Sequence, residues 1–188
     1  MLCFLSRFNT DRTTKKLIES IYDYDNRPVS EPKLVGYHSN QPGMEVLAKH
    51  SGLNKIFMLV TKADKQVLKY QDADNVEHGM THIELFKNIM CAKYPLLLDC
   101  FEEIEYDEED NNATSFYQVV KMSDQILSYI NEEHSKGNEI HLVADMTGGL
   151  RNANMIMLGI IQLMEYVGVL VDKIIYTYYD LPTKTGLV

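Results

Sequence analysis

The sequence predicts an α/β fold of Rossmann type, a three-layer sandwich built on a mainly parallel sheet of about six strands, in one domain spanning residues 1–188. Three observations predict it. Apolar runs of strand length alternate with helix-periodic segments along the whole chain. The runs are almost continuously apolar, as strands buried on both faces are. And 188 residues suffice for one substantial core but not for two.

Taken in order, the strand-length runs are residues 1–5, 33–38, 55–60, 96–104, 139–144 and 172–178. Between them, residues 10–21 place Leu17, Ile18 and Ile21 behind polar starters and read as a helix. Residues 43–50 follow with Met44, Val46 and Leu47, and residues 79–94 with Ile83, Phe86, Ile89 and Met90. Residues 115–134 carry Val119, Met122, Ile126, Leu127 and Ile130 at spacings of three and four, the period of an amphipathic helix. Residues 152–167 are apolar on almost every side, with polar interruptions only at Asn152, Asn154, Gln162 and Glu165, so burial by the sheet together with a second protomer is expected, the alternative being burial within one subunit between the sheet and a neighbouring helix. Two segments read as solvated connections: residues 23–32 with Pro28 and Pro32, and the acidic run 102–112.

A net charge of −9 and a pI near 5.1 give the chain no long-range attraction to a polyanion or an anionic membrane. No long nucleic acid is expected as a partner. A small phosphate-bearing ligand remains compatible, because a helix N-terminus and a few local cations hold phosphate without help from overall charge. Cys3, Cys91 and Cys100 are odd in number and widely spaced, which argues for free thiols in a reducing cytoplasm and against a disulfide framework or a thiolate metal site. The N-terminus lacks a basic leader and residues 155–171 fall short of a membrane span, so a cytoplasmic location is expected, with no metal or cofactor.

In a parallel sheet of this kind, ligands bind beyond the carboxyl ends of the strands. That rule selects the turns 6–11, 39–43, 61–64 and 145–152 before any motif is considered. The last is the richest: a strand feeds Asp145-Met146-Thr147-Gly148-Gly149-Leu150-Arg151, and a hydrophobic helix follows. Paired glycines permit positive φ or close approach of backbone to a ligand, and backbone amides at a helix start form an anion nest. Thr147 adds a hydroxyl, Arg151 a guanidinium suited to bidentate phosphate contact, and Asn152 an amide. A tight strand-to-helix connection, with Arg151 paired to Asp145, is the plainer alternative. His38, beside Ser39, reads as a satisfied structural histidine. No G-x-G-x-x-G, P-loop or G-x-S-x-G motif occurs.

Residues 141–180, HLVADMTGGLRNANMIMLGIIQLMEYVGVLVDKIIYTYYD, resemble the signature region of the CRISPR-associated Rossmann-fold (CARF) superfamily, accessory proteins of type III CRISPR systems. There a strand ends in Asp-x-Thr-[His/Gly]-Gly-x-Arg ahead of a hydrophobic helix and a closing strand rich in Ile, Val and Tyr. Asp145, Thr147, Gly149 and Arg151 occupy the motif positions, while Gly148 stands where some relatives carry His. The N-terminal half matches more loosely, through a first strand ending in Ser6 and the segment from Asn40.

The resemblance implies a homodimer binding cyclic tetra- or hexa-adenylate (cA4 or cA6) across its two-fold axis. Ser6, Arg7, Asn9, Thr10, Asn40, Thr147, Gly148, Gly149, Arg151 and Asn152 are the expected ligand contacts. Relatives append an effector, which is expected to be absent or removed here. A sensor that controls an effector is the leading expectation. A stand-alone ring nuclease cleaving the ligand without metal, with Thr147 and Arg151 as candidate catalytic groups, is a second. An unrelated Rossmann-like mononucleotide-binding protein is a third.

Overall fold

The computed structural model describes residues 1–50, 52–107, 114–148, 153–180 and 185–188. In chain order the elements begin with β1 (Leu2–Phe4), β2 (Ser20–Asp23), β3 (Leu34–Gly36), α1 (Gln41–His50), β4 (Ile56–Val60), β5 (Val67–Gln71), β6 (Glu77–Thr81) and α2 (His82–Lys93). A 3₁₀ turn (Pro95–Leu97) leads to β7 (Phe101–Glu105), α3 (Thr114–Ser135), β8 (His141–Asp145), α4 (Ala153–Tyr166), β9 (Leu170–Ile175), β10 (Tyr178–Asp180) and β11 (Thr185–Leu187). The central sheet has five strands in the order β7-β4-β1-β8-β9, and every neighbouring pair is parallel.

Strand alternation divides the core into two halves. From β1, Leu2 and Phe4 join Phe57 and Leu59 of β4 against α3 and α4, where Met122, Ile126, Ile156, Met157 and Ile160 pack. Cys3 and Leu5 join Ile56, Met58 and Val60 against α1 and α2, which contribute Met44, Leu47, Phe86 and Met90. The expected three-layer α/β sandwich is what the chain forms.

Four details differ from the expectation. The central sheet has five strands rather than about six, because residues 33–38 supply β3 to a separate sheet ordered β10-β11-β2-β3. Leu34 is half-buried, Val35 exposed and Gly36 buried, the one-sided alternation of a strand covered on a single face. Residues 10–21 form no helix. Asp11 Oδ1 instead accepts from the Thr13 and Thr14 amides at 2.9 and 2.8 Å, an Asx turn that competes with helix start, and Lys15 follows with φ of 57°. The segment then continues into β2.

Residues 77–81 belong to β6, and α2 begins after them at a capping box. Thr81 Oγ1 accepts from the Glu84 amide at 3.1 Å while Glu84 Oε2 accepts from the Thr81 amide at 2.9 Å. Finally, β7 starts only at Phe101, after the turn set by Pro95, and runs into the acidic segment through Glu105.

Both edges of the central sheet are charged. Glu102, Glu103 and Glu105 of β7 pair with Lys55, Lys87 and Lys65. Strand β9 bears Asp172 and Lys173 at a register shift against β8. Cys3 and Cys100 are buried, Cys91 is half-buried, and all three are free thiols. Among the described residues, no helix is long and apolar enough to cross a membrane.

Helix α4 is less enclosed than its composition suggests. Ile156, Met157, Ile160, Ile161 and Met164 are buried, whereas Met155 and Leu158 face outward. Ile160→Ala, at a wholly buried position of the α4 seam, is expected to cost about 2–5 kcal/mol in urea denaturation. Leu158→Ala should cost far less in the same measurement, and equal losses would contradict this assignment of faces.

Candidate functional site

Strands β1 and β8 lie side by side at the centre of the sheet, and the chain leaves them toward opposite layers, from β1 toward α1 and from β8 toward α4. Such a divergence opens a crevice beyond the carboxyl ends of the two strands. The residues that close over it come from three separate segments.

Asn40, wholly buried, stands immediately before α1, and its carbonyl accepts the Met44 amide at 3.3 Å. Its side chain joins the two strand ends. Nδ2 donates to Asp145 Oδ2 at 2.8 Å, and Oδ1 accepts the Ser6 amide at 3.0 Å. Asp145, the last residue of β8, accepts the Thr147 amide on Oδ1 at 2.9 Å. Burial pushes its carboxyl above the ordinary range, opposed by the hydrogen bonds from Thr147 and Asn40. Thr147 Oγ1 in turn accepts the Thr177 amide at 2.8 Å, which ties the loop after β8 to the chain leaving β9.

Gly148 explains itself by contact. A Cβ built there would lie 1.9 Å from the Phe4 carbonyl oxygen and 2.9 Å from Asn40 Oδ1, while its φ is outside the left-handed region. Neither reason for glycine anticipated from sequence applies here: φ is not left-handed, and what the backbone approaches closely is the end of β1 rather than a ligand. The same contact bars any side chain at this position, since its Cβ would meet backbone.

The loop after β1 is held by two imidazoles. His38 Nε2 lies 2.6 Å from the Ser6 carbonyl, and Nδ1 accepts the Asn40 amide at 3.2 Å. A carbonyl only accepts and an amide only donates, so the ring is neutral with its proton on Nε2. Burial holds its pKa down at about 4. His82, at the start of α2, accepts the Phe8 amide on Nδ1 at 3.0 Å, and burial lowers its pKa as well. Phe8 sits between the two rings, 4.5 Å from His38 and 6.2 Å from His82 by centroid. His38 is thus the structural histidine expected.

Of the expected contacts, Ser6, Asn40, Thr147 and Gly148 converge at the crevice. Arg7, Asn9 and Thr10 line a neighbouring cleft of about 570 Å³ with Arg12, Tyr37 and Ser39. The Ser39 hydroxyl donates to the Ser6 hydroxyl at 2.8 Å, so the two spaces share a border. Gly149, Arg151 and Asn152 lie outside the described residues.

No protein-family model matches this chain, and no curated protein matches it either. The chemistry of the site therefore rests on its own geometry, which combines backbone packed tightly over two strand ends with hydroxyl and amide side chains around a crevice. Sequence reasoning missed Arg12, Tyr37, His82 and Thr177. Arg12 was hidden by reading residues 10–21 as a helix, and Tyr37 by reading residues 33–38 as a strand of the main sheet. His82 was signalled by the Thr81-x-x-Glu84 capping pattern, and Thr177 by its place as a lone hydroxyl between Tyr176 and Tyr178.

Gly148→Ala should destabilise the domain by about 1–3 kcal/mol in urea denaturation, because the added methyl meets a carbonyl that cannot swing aside. Unchanged stability would show that the loop does not pack on β1 as described. His38 supplies a pH test. Its folded pKa of about 4 lies below the ordinary value of 6.5, so the unfolded chain takes the proton first and stability is lost as pH falls from about 6.5 toward 4. The loss should approach roughly 3 kcal/mol when complete, and His38→Gln should flatten this part of the stability-pH profile. A profile unaltered by the substitution would place the pH dependence elsewhere.

Proposed function

We propose that this domain is a cyclic oligoadenylate sensor that binds cA4 or cA6 across a homodimer and controls an effector in type III CRISPR antiviral defence. The observation that carries the reading is the junction of β1 and β8 at the centre of the parallel sheet, where Thr147 and Gly148 of the Asp-x-Thr-Gly-Gly-x-Arg pattern meet the end of β1 and the side chain of Asn40 beside Ser6. Rossmann-like sheets take phosphate-bearing nucleotides at this position. In the same pattern Arg151 carries a guanidinium of the kind that holds phosphate.

Two-fold assembly gives a ring of repeated adenylates equivalent loops from two protomers. The outward-facing Met155 and Leu158 of α4, with Ile174 on the same face of the sheet and Tyr176 just beyond it, supply apolar surface for a second copy. The side chain of Thr147 is occupied, bonded to Asp145 and to the Thr177 amide, which suits a residue that shapes the loop better than one that moves protons.

Sedimentation is expected to give a dimer at micromolar concentration, and a gel with radiolabelled cA4 and cA6 should show retention without linear products. Linear products would make the protein a ring nuclease, and no retention of either ring would overturn the sensor reading. Arg151→Ala should weaken ring binding by about 1.5–3 kcal/mol and leave folding intact. Unfolding instead would identify Arg151 as a structural ion-pair partner.

A further inference from the structure

The cleft beside the crevice has a chemistry of its own. Its walls are the hairpin-like segment after β1 on one side and β2 with the chain after β3 on the other. In a chain with 27 acidic and 18 basic residues, a cation has little difficulty finding a carboxylate. Arg27 binds Asp23, Lys49 binds Glu31, Lys93 binds the buried Glu45, and the lysines facing β7 are paired. Arg7 and Arg12, both exposed in the cleft, have no ion-pair partner among the described residues. The acid beside them, Asp11, turns its carboxylate onto the Thr13 and Thr14 amides and the Thr14 hydroxyl at 2.8–3.1 Å. Two guanidiniums are thereby left to face the same space.

The wall that carries them is fixed before any ligand arrives. Thr10 bridges Leu17, the Ile18 amide donates to the Asn9 carbonyl at 3.1 Å, and the Asp11 amide donates to the Lys16 carbonyl at 2.8 Å. Upstream, His38 and His82 clamp Ser6 and Phe8. Opposite lies the half-buried ring of Tyr37, whose hydroxyl donates to Glu19 at 3.2 Å and so holds the ring's direction. Buried Tyr22 and Ser20 form the floor. Asn9 and Thr10 on the rim offer amide and hydroxyl groups. A second recess, about 390 Å³ at the amino ends of the strands, lacks this character, because its Lys55 and His141 are paired to Glu102 and Asp172.

We infer that the cleft is a nucleotide subsite in which Arg7 and Arg12 hold one phosphate and the Tyr37 ring carries the base of a single adenylate unit. A phosphate wants planar, multiply donating guanidiniums, and a purine wants an oriented aromatic face. The volume of about 570 Å³ lies within the range of small-ligand pockets. The choice of adenylate rests on the nucleotide reading above. Through the shared border at Ser6 and Ser39, a ring seated at the crevice places one of its units in the cleft.

Isothermal titration with AMP, ribose 5-phosphate, cA4 and cA6 tests this on the whole chain. Saturable AMP binding is expected, weakened at least about tenfold by Arg12→Ala and by Arg7→Ala. Tyr37→Leu should weaken AMP by a similar factor yet leave ribose 5-phosphate within about twofold, since only the stacking partner is removed. Thermal denaturation identifies any variant that has lost its fold, and Arg12→Lys, which keeps charge without the planar fork, then serves in place of Arg12→Ala. AMP binding indifferent to Arg7, Arg12 and Tyr37, or no AMP binding up to about ten millimolar, a level at which even millimolar affinity registers, overturns the inference. Ring binding without AMP binding would defeat the subsite and leave the sensor reading standing. AMP binding without ring binding would do the reverse.

Discussion

The Asn40 side chain is the constraint on which the site depends. It lies in the core, where an unpaired amide is costly, and it satisfies both its ends by joining Asp145 at the end of β8 to the Ser6 amide after β1. Asp145 is equally dependent on it, since a buried carboxylate is tolerable only with donors around it. Because Asn40 also opens α1, the first turn of that helix, the β1 loop and the β8 loop are located by a single group. Networks of this sort fix geometry more firmly than apolar contacts, which tolerate sliding.

Around that stitch the packing is almost subtractive. Gly148 has no side chain because the Phe4 carbonyl occupies its place, and the loop after β8 consequently lies against β1. Thr177, reached only after β9, completes the tie through Thr147. The imidazoles of His38 and His82 hold the β1 loop while uncharged, which couples the candidate ligand loop to the same burial that stabilises the α1/α2 half of the core. Preorganisation of this kind lowers the ordering cost of binding a small ligand.

The electrostatic arrangement also has a consistent logic. The chain is strongly acidic overall, and most of its described cations are neutralised where they stand, many of them along the β7 edge. The arginines beside the β1 loop, Arg7 and Arg12, carry local positive charge into one cleft, where a small phosphate ligand finds complementary charge.

The sequence by itself determined the layer architecture, because continuous apolar runs at β4 and β8 and three-four spacing in α3 have only one economical way to be buried. It also located the turn after β8, since a strand followed by two glycines and an apolar helix is a local pattern. It misjudged residues 10–21, where apolar spacing suggested a helix but a local Asx turn at Asp11 won, and it placed residues 33–38 in the wrong sheet, because strand pairing is a long-range choice. Which turns meet was likewise beyond it. Asn40 and Asp145 are 105 residues apart in sequence, and only the parallel order around β1 brings them to 2.8 Å. That Arg7 and Arg12 line one cleft was decided at the same level, by the path of a hairpin that no period in the sequence encodes.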